Sequence, residues 1–515
     1  ICACLVGSEM CIRDRYRSTR SEEKISAPQA LLQGLAKDGG LYVPEMLPVP
    51  FIEYNSLKDL SYKELASFVL KRFLTDIPEN DLKKLTDAAY TGTFAAKEIV
   101  PVKRMTDAFS VAEMFYGRTC AFKDLALSLF PYLLVWAKAQ ENDGKQILIL
   151  TATSGDTGKA ALEGFRDIPD INIMVFYPSD GVSPLQKDQM QKQSGNNVRV
   201  AGIDGNFDDA QSALKRIFMS GLREEASEKG VLFSSANSIN IGRLLPQIIY
   251  YVWIWLQLRK NHSIGENERF NVVVPTGNFG NILAGWMAKE IGVPLGQLIC
   301  ASNENKVLTD FFETGVYDIN REFYLTESPS MDILISSNFE RFLYYVLGSA
   351  DKVAAAMKAL NKEGRYAVSE EELADALGEI TGGWASSEDM KRAMKAVYES
   401  YDYLMDPHTA VAYAVYHRLR CEGKIERHSH TVIISTAHPY KFPGIVAEIL
   451  GLDETGTPYD VLRRIEKKTG IPIPFQLGDL EMKEKRFTDT IRKDDVADAV
   501  SEYMDDIMNI RMRNE

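Results

Sequence analysis

The sequence predicts an α/β fold in which a mostly parallel sheet is covered by helices on both faces. Short β-rich runs alternate with helical stretches from about residue 101 onward, a rhythm typical of βαβ units. Two of the predicted strands run directly into glycine-containing loops that precede helices. The 515 residues also exceed what one hydrophobic core usually organises, so we expect two or three packed domains.

The fold is predicted to begin at Tyr16. Residues 1–15 have a short apolar start but lack the basic segment and the longer apolar segment of a secretory signal, and we expect them to be a leader foreign to the fold. Between residues 16 and 100, apolar positions such as Leu65 and Val69 recur at helical spacing. This spacing predicts an N-terminal helical subdomain.

The other boundaries follow from the order of the predicted elements. Strands are predicted at 146–150, 171–177, 197–200, 231–235, 270–274, 298–300 and 430–436, and further helices at 353–360 and 390–405. We expect a smaller α/β domain at 101–270, a larger α/β domain at 271–450 and a charged helical tail at 451–515.

Charge and composition exclude several classes of partner. The net charge of −13, with acidic residues scattered along the chain, argues against a nucleic-acid surface. No apolar run approaches the roughly 20 residues of a membrane span; the best candidate, Leu244–Leu258, contains Pro246 and Gln247. Six cysteines in this length form no disulfide framework. We therefore expect a soluble, cytoplasmic protein with a small-molecule partner.

The loop after the strand at 270–274 has the features of an anion site. Gly277 and Gly280 let the backbone approach a ligand, and Thr276, Asn278 and Asn281 add neutral donors at the start of a helix. The alternative is a turn whose glycines serve geometry only. The loop lacks the third glycine of a dinucleotide fingerprint and the lysine of a Walker loop.

A second loop of this type follows the strand at 146–150. The hydroxyls of Thr153, Ser154 and Thr157 could bind a carboxylate or a phosphate together with the backbone N–H groups. Asp156 would oppose an anion, so we expect it to cap the following helix. Two such loops predict a ligand with two anionic ends, or two ligands.

Lys123 lies in an otherwise apolar stretch. Taken alone, this pattern favours a surface lysine on an amphipathic helix. The other interpretation is a desolvated amine that reacts with a carbonyl group or a pyridoxal cofactor, and the neutral anion loops add weight to it.

Seven motifs together resemble those of the threonine synthase family. Members of this family are pyridoxal-phosphate enzymes of fold type II, which is also called the tryptophan-synthase-β group. The motifs are YRSTR, GLAKDGGLYVP, RTCAFKDLAL, LTATSGDTGKAA, SANSINIGR, PTGNFGN and STAHPYKFP, in this order between Tyr16 and Pro443. The long N-terminal region is similar to the branch found in many bacteria and fungi. The resemblance implies two open, mostly parallel sheets flanked by helices, and pyridoxal 5'-phosphate as the cofactor.

The resemblance also implies roles for single residues. Lys123 is implied to be the Schiff-base lysine, in the smaller domain, and Thr436 the hydroxyl partner of the cofactor's pyridine nitrogen. The residues implied to hold the cofactor phosphate are Gly277, Asn278, Phe279, Gly280 and Asn281. The loop implied to receive the substrate carboxylate is Ser154, Gly155, Asp156 and Thr157. Our candidates for the substrate phosphate are Asn240, Arg243 and Lys441, chosen on charge and motif position.

The implied reaction converts O-phospho-L-homoserine and water to L-threonine and phosphate, by a carbon–oxygen lyase that works as a monomer or homodimer. Two alternatives stay open. One is another fold-type-II reaction, such as serine or threonine dehydration or β-replacement. The other is a threonine-synthase-like protein that binds ligands without turnover.

Three histidines and Asp406 each have a structural and a functional interpretation. His428 and His430 predict a solvated loop, because two imidazoles without nearby cysteines or clustered carboxylates are a poor metal site. Asp406 precedes a proline and is expected to cap a helix. His438 fits backbone positioning, a cofactor-ring contact or acid–base work equally well.

Overall fold

A computed structural model describes residues 15–141, 144–153, 155–179, 182–205, 207–377, 379–426 and 428–514. The leader predicted at residues 1–15 lies outside this range except for Arg15, which begins the first strand. None of the helices in the described part of the chain combines the length and the apolar character that a membrane crossing requires.

The N-terminal region contains helices and a small antiparallel sheet. Its elements are β1 (Arg15–Ser18), β2 (Lys24–Ser26), α1 (Ala27–Gln33), β3 (Tyr42–Pro44), α2 (Tyr54–Leu57), α3 (Tyr62–Leu70) and α4 (Glu79–Tyr90). The three strands pair in the order β2-β1-β3. The predicted subdomain is therefore not purely helical.

The central part of the chain alternates strands and helices as predicted. Its elements are β4 (Val102–Arg104), β5 (Phe109–Glu113), α5 (Lys123–Leu127), α6 (Phe130–Glu141), β6 (Gln146–Ala152), α7 (Asp156–Phe165), β7 (Ile171–Pro178), α8 (Pro184–Gln191), β8 (Val198–Asp204), α9 (Phe207–Phe218), α10 (Leu222–Glu228), β9 (Val231–Ser235) and α11 (Ile241–Lys260).

The second half continues the alternation and ends in helices. Its elements are β10 (Phe270–Pro275), α12 (Gly280–Glu290), β11 (Leu295–Ser302), α13 (Val307–Thr314), β12 (Val316–Asp318), α14 (Phe339–Leu347), α15 (Ala350–Glu363), β13 (Arg365–Ala367), α16 (Glu370–Leu377), β14 (Ile380–Trp384), α17 (Ser387–Tyr401), α18 (Pro407–Cys421), β15 (Thr431–Ser435), α19 (Pro443–Leu450), α20 (Pro458–Thr469), α21 (Phe475–Gly478), β16 (Thr490–Arg492) and α22 (Val496–Asn514). Short 3-10 helices lie at Pro329–Met331, Pro439–Lys441, Asp479–Met482 and Lys493–Asp495.

Two open, mostly parallel sheets form the scaffold, which confirms the predicted fold class. The larger sheet has the strand order β14-β11-β10-β15-β5-β4, with β4 antiparallel to β5 and the other pairs parallel. The smaller sheet is parallel throughout, in the order β16-β8-β7-β6-β9. Apolar side chains of both sheets and of the buried helix α11 form the core.

The sheets do not follow the domain boundaries expected from the sequence. Strands β4 and β5 lie before residue 270, yet they join the larger sheet, where Val432 pairs with Ser110. Strand β16 comes from the predicted helical tail and adds to the smaller sheet beside β8. Parallel pairing joins strands that are far apart in the chain, so these partners cannot be inferred from local patterns.

His430 differs from the solvated position predicted for it. Its ring is buried, lies 2.9 Å from the Ser110 hydroxyl and lies 3.1 Å from the carbonyl oxygen of Asp107. These contacts tie the start of β15 to β5. Among the described residues, no group of three or more His, Cys, Asp or Glu side chains could hold a metal ion.

Candidate active site

A cavity of about 90 Å³ lies where the carboxyl ends of β6 and β10 face each other. Lys123, the first residue of α5, reaches into it and is only 9% exposed. Its Nζ lies 3.7 Å from Asp156 Oδ2 and donates a long hydrogen bond of 3.4 Å to the Ser330 hydroxyl. The surface position favoured by the sequence pattern alone is therefore wrong.

The environment of Lys123 favours the uncharged amine. Burial is the main cause and lowers the pKa of Lys123 from 10.5 to about 8. Asp156 opposes this change, while the cations of Arg243 and Lys441 add to it. A larger fraction of this amine than of an exposed lysine is therefore free to act as a nucleophile or a base near neutral pH.

The loop between β10 and α12 forms one wall of the cavity. Thr276 and the five residues after it line the cavity. Phe279 adopts a left-handed conformation, with φ of 60°, which turns the chain into α12. A side chain at Gly277 would meet the carbonyl oxygen of Ser330 well inside contact distance, so this position requires glycine. The N-terminal end of α12 consequently faces the cavity with its free N–H groups.

Two residues that line the cavity have buried donors without a partner in the described part of the protein. Asn281 Oδ1 accepts hydrogen bonds of 2.8 Å from the hydroxyls of both Tyr250 and Tyr251, while its Nδ2 makes none. Arg243 donates from Nη1 to the Ala236 carbonyl oxygen at 2.9 Å, but its Nε is also unpaired. Unsatisfied buried donors are costly, which is the pattern expected where an anion binds.

The loop between β6 and α7 forms the opposite wall. Thr153, Asp156 and Thr157 line the cavity, whereas Ser154 lies outside the described residues. The Thr153 hydroxyl accepts hydrogen bonds from the backbone N–H groups of Gly155 and Gly158, at 2.9 and 2.8 Å. Thr153 therefore shapes the loop, and Gly155 turns it, with φ of 138°.

Asp156 does not cap α7 as expected. Gly155 is the N-cap residue, and the buried Asp156 carboxylate points to lysines instead. Its Oδ1 lies 2.7 Å from Lys441 Nζ and accepts a 2.9 Å hydrogen bond from Gln186 Nε2. Burial by itself raises the pKa of Asp156, but the ammonium groups of Lys441 and Lys123 outweigh it and hold the pKa well below its usual range. Asp156 is therefore ionised.

The three candidates for the substrate phosphate occupy different positions. Only Arg243 lines the cavity. The buried Asn240 caps α11, since its Oδ1 accepts from Gly242 N and its Nδ2 donates to the Leu31 carbonyl oxygen, both at 2.9 Å. Lys441 is fully buried, with its ammonium on Asp156 and 2.9 Å from the Thr119 carbonyl oxygen. Neither Asn240 nor Lys441 reaches the cavity.

Thr436 lies at the cavity, just beyond the end of β15, and its carbonyl oxygen accepts a 2.8 Å hydrogen bond from Phe122 N. His438 follows Thr436 by two residues but does not line the cavity. Burial lowers the pKa of His438 to about 3, so the ring is neutral, and its Nδ1 accepts a 3.2 Å hydrogen bond from Tyr440 N. Of the three roles considered for His438, the contacts favour backbone positioning.

Sequence reasoning missed Ser330 and His408, which both line the cavity. His408 Nε2 accepts a 3.2 Å hydrogen bond from Ser330 N, and its Nδ1 lies 2.8 Å from Asp406 Oδ1. Asp406 caps α18, as predicted, by accepting from His408 N at 3.0 Å. The predicted helix cap could have pointed to His408, because the Asp406 carboxylate contacts both the backbone N–H and the ring of His408.

Comparisons with known proteins match nearly the whole chain. Family models described as threonine synthase N terminus, pyridoxal-phosphate dependent enzyme, and threonine synthase C-terminal match residues 15–90, 100–437 and 409–504. Threonine synthase of Saccharomyces cerevisiae is 36% identical over 484 residues, which cover 88% of this chain and 92% of the yeast protein.

The chain belongs to the threonine synthase family. The crystal structure of PLP-bound threonine synthase from Brucella melitensis, at 35% identity, superimposes with a TM-score of 0.83 and covers 95% of this chain and 98% of its own. Mouse threonine synthase-like 1 is also 36% identical, and the matched region covers 94% of this chain but only 66% of the mouse protein.

Membership in the family makes pyridoxal phosphate the cofactor. The residues present fit it in three respects. The amine of Lys123 is buried and loses its proton more readily than an exposed lysine, and the unpaired Nδ2 of Asn281 lies at the start of α12. The loop at Gly277 has room for the backbone but not for a side chain. The chain thus offers one reactive amine and one neutral anion site to a phosphorylated aldehyde.

Proposed function

We propose that the chain converts O-phospho-L-homoserine and water to L-threonine and phosphate, as a cytoplasmic enzyme of threonine biosynthesis that acts as a monomer or homodimer. The observation that carries the proposal is the cavity itself. A buried amine, a neutral phosphate-type loop and a second anion-type loop converge on it in a chain that belongs to the threonine synthase family.

The cofactor would be held by the loop between β10 and α12. Gly277 to Asn281 supply backbone N–H groups and the free Nδ2 of Asn281 to its phosphate, and the Thr436 hydroxyl is the partner for its ring nitrogen. When bound, pyridoxal phosphate withdraws electrons and stabilises negative charge at the substrate carbon atoms. The chain's residues then have to bind the substrate and move its protons.

Lys123 carries the proton transfers. Its Nζ is a base of the right strength to take a proton from Cα of the substrate and to return one at Cγ. A second proton leaves Cβ as the Cγ–O bond breaks, and it departs with the phosphate as hydrogen phosphate. After the proton is returned at Cγ, water gives its hydroxyl group to Cβ and its other proton is returned at Cα, which completes L-threonine. The neighbouring carboxylate of Asp156 can stabilise the ammonium form of Lys123 between these transfers.

Arg243 is the candidate partner of the substrate phosphate. It is a buried cation, and no carboxylate of the described residues lies within ion-pair distance of it. Burial lowers the pKa of Arg243 to about 10, which shows how poorly its charge is compensated. A dianionic phosphate ester supplies the missing charge, and the unpaired Nε is available to bind it.

The backbone of the loop between β6 and α7, together with the Thr157 hydroxyl, is proposed to receive the substrate carboxylate. Gly155 N already donates to Thr153, so the remaining N–H groups at the start of α7 are the available donors. Asp156 is excluded from this contact by its own charge. We infer that Asp156 instead compensates the charges of Lys123 and Lys441.

The test is a product analysis with purified protein and added pyridoxal phosphate. We expect L-threonine and phosphate in equal amounts from O-phospho-L-homoserine, and little turnover of L-serine, L-threonine or O-phospho-L-serine. Formation of a 2-oxo acid from serine or threonine would instead identify a dehydratase. Cofactor binding without turnover of any of these would support the ligand-binding alternative.

A further inference from the structure

Three buried charges lead from the cavity into the interior of the protein. The Asp156 carboxylate lies between two ammonium groups, with Oδ1 2.7 Å from Lys441 Nζ and Oδ2 3.7 Å from Lys123 Nζ. Lys123 is at the cavity, whereas Lys441 is fully buried behind Asp156. One carboxylate therefore serves two lysines, of which only one can meet a ligand.

The far end of this chain of charges is held rigidly. Lys441 ends the short helix Pro439–Lys441, and its Nζ also donates to the Thr119 carbonyl oxygen at 2.9 Å. Gln186 Nε2 adds a 2.9 Å hydrogen bond to Asp156 Oδ1. Because Oδ1 is occupied twice, the orientation of the carboxylate is set and Oδ2 is left facing Lys123.

We propose that Lys441 is a positioning residue, which holds the Asp156 carboxylate beside Lys123 and keeps that carboxylate from retaining a proton on the Lys123 amine. The inference rests on the proposed function, because it gives a role to a lysine that does not touch the substrate.

The balance of charge around Lys123 explains how Lys441 would act on it. Lys441 and Asp156 together form a neutral buried pair, so Lys123 is a surplus cation in a dry site and loses its proton readily. Without Lys441, Asp156 would form its ion pair with Lys123, and the amine would stay charged. The pKa of Lys123, lowered to about 8 chiefly by burial, agrees with the first arrangement.

The other charged and titratable groups around Lys123 do not replace Asp156. Arg243 reaches the cavity from α11 and His408 from α18, and neither is an anion. Asp124, next in α5, accepts hydrogen bonds from the N–H and hydroxyl of Thr119. Asp156 is the one carboxylate among the described residues that line the cavity.

The experiment is a pH titration of the visible absorbance of the holoenzyme, because that band reports the protonation of the Lys123 nitrogen in its bond to the cofactor. The charges of Asp156 and Lys441 act on that nitrogen in the same direction as on the free amine. Asp156→Asn removes the anion, and we expect the midpoint to fall by at least about one pH unit. Lys441→Met removes the competing cation, and we expect the midpoint to rise by roughly half a unit or more. In the double variant the two effects oppose each other, so its midpoint should lie between those of the single variants.

Thermal unfolding of the same variants separates the effect of an unpaired buried charge on stability from the effect of altered packing. Asp156→Asn leaves Lys441 as an unpaired buried cation, so it should melt at a lower temperature than the double variant, which has no such charge. The double variant also keeps the titration measurable if Lys441→Met alone does not fold.

Lys192→Met is the matched control. Lys192 Nζ also lies 2.9 Å from a carboxylate, that of Asp188, and 2.9 Å from a carbonyl oxygen, that of Leu480. It is buried but does not line the cavity. We expect a lower melting temperature and an unchanged titration midpoint.

Midpoints that stay within about 0.2 units of the wild type in both single variants, with lower melting temperatures, would overturn the proposal and leave Lys441 a structural residue. A shift of the same sign in both would also overturn it. The titration uses no substrate, so it stays valid if the protein acts on an amino acid other than O-phospho-L-homoserine.

Discussion

The loops after β10 and β6 have the same strand–loop–helix geometry and face the same cavity, but they differ in charge. The loop after β10 has no charged residue between Thr276 and Asn281, and its donors are backbone N–H groups and amides. The loop after β6 carries Asp156, which is buried and compensated by two lysines. Both use one residue with positive φ to start a helix, Phe279 in one and Gly155 in the other.

The difference shows two ways in which a helix N-terminus serves a site. A neutral loop can hold an anionic group directly, because its N–H groups need a partner. A buried carboxylate in the loop instead requires nearby cations to compensate its charge. Here these cations are Lys123 and Lys441, and Lys123 is the proposed base. We therefore assign ligand binding chiefly to the loop after β10, and control of Lys123 to the loop after β6.

Replacing Lys123 should have the largest effect, since both loops act on it or beside it. We expect Lys123→Ala to lower kcat by at least about 10³-fold, because the variant loses both the proposed covalent partner of the cofactor and the proposed base. Steady-state phosphate release and the visible absorbance of the bound cofactor check this. Retention of more than a tenth of the activity would show that another base carries the proton.

Arg243 tests whether the cavity holds two separate anionic groups. We expect Arg243→Gln to raise KM for O-phospho-L-homoserine roughly 10- to 150-fold, since a charge-assisted hydrogen bond contributes about 1.5–3 kcal/mol. Cofactor affinity, measured by absorbance titration of cofactor-depleted protein, should change little. A large loss of cofactor affinity with an unchanged KM would instead assign Arg243 to the cofactor phosphate.

Gly277→Ala tests the backbone cradle of the neutral loop. The added methyl group meets the Ser330 carbonyl oxygen, so the loop has to move, at a cost of about 1–2 kcal/mol. We expect cofactor affinity to fall roughly 5- to 30-fold. Gly221→Ala is the control, because nothing lies within 4 Å of its new methyl group. Equal affinity in both variants would contradict the assignment of this loop to the cofactor.

Ser330 should give the smallest effect. Its hydroxyl accepts a hydrogen bond of 3.4 Å from Lys123, which is long, whereas Asp156 supplies the charge that Lys123 responds to. We expect Ser330→Ala to change kcat less than about threefold, in line with the loss of one weak neutral hydrogen bond. A loss above tenfold in kcat measurements would give Ser330 a part in proton transfer.

Much of the fold and of the site follows from local sequence patterns. The predicted strands at 146–150 and 270–274 appear as β6 and β10 because buried parallel strands are continuous apolar runs. The cavity contains Lys123 and Gly277 because the loops at strand ends carry the ligand-binding residues of such sheets. The pairing of β5 with β15 was not predictable, since more than 300 residues separate them in the sequence.

Burial is what the sequence does not reveal for single polar residues. Charge and position in the sequence predict Lys441 and Asn240 as anion ligands, but the fold places both away from the cavity. Asp156 was expected to be a helix cap, and the approach of Lys441 determines a different role. Ser330 lies in a short 3-10 helix without a recognisable motif, so no local pattern points to it.

The proposed reaction breaks the Cγ–O bond of O-phospho-L-homoserine and adds water at Cβ. The most direct test is to run the reaction in water enriched in oxygen-18 and to analyse both products by mass spectrometry. We predict one labelled oxygen in L-threonine, at the β-hydroxyl, and unlabelled phosphate. Labelled phosphate accompanied by unlabelled homoserine would mean simple ester hydrolysis and would rule out the proposed reaction.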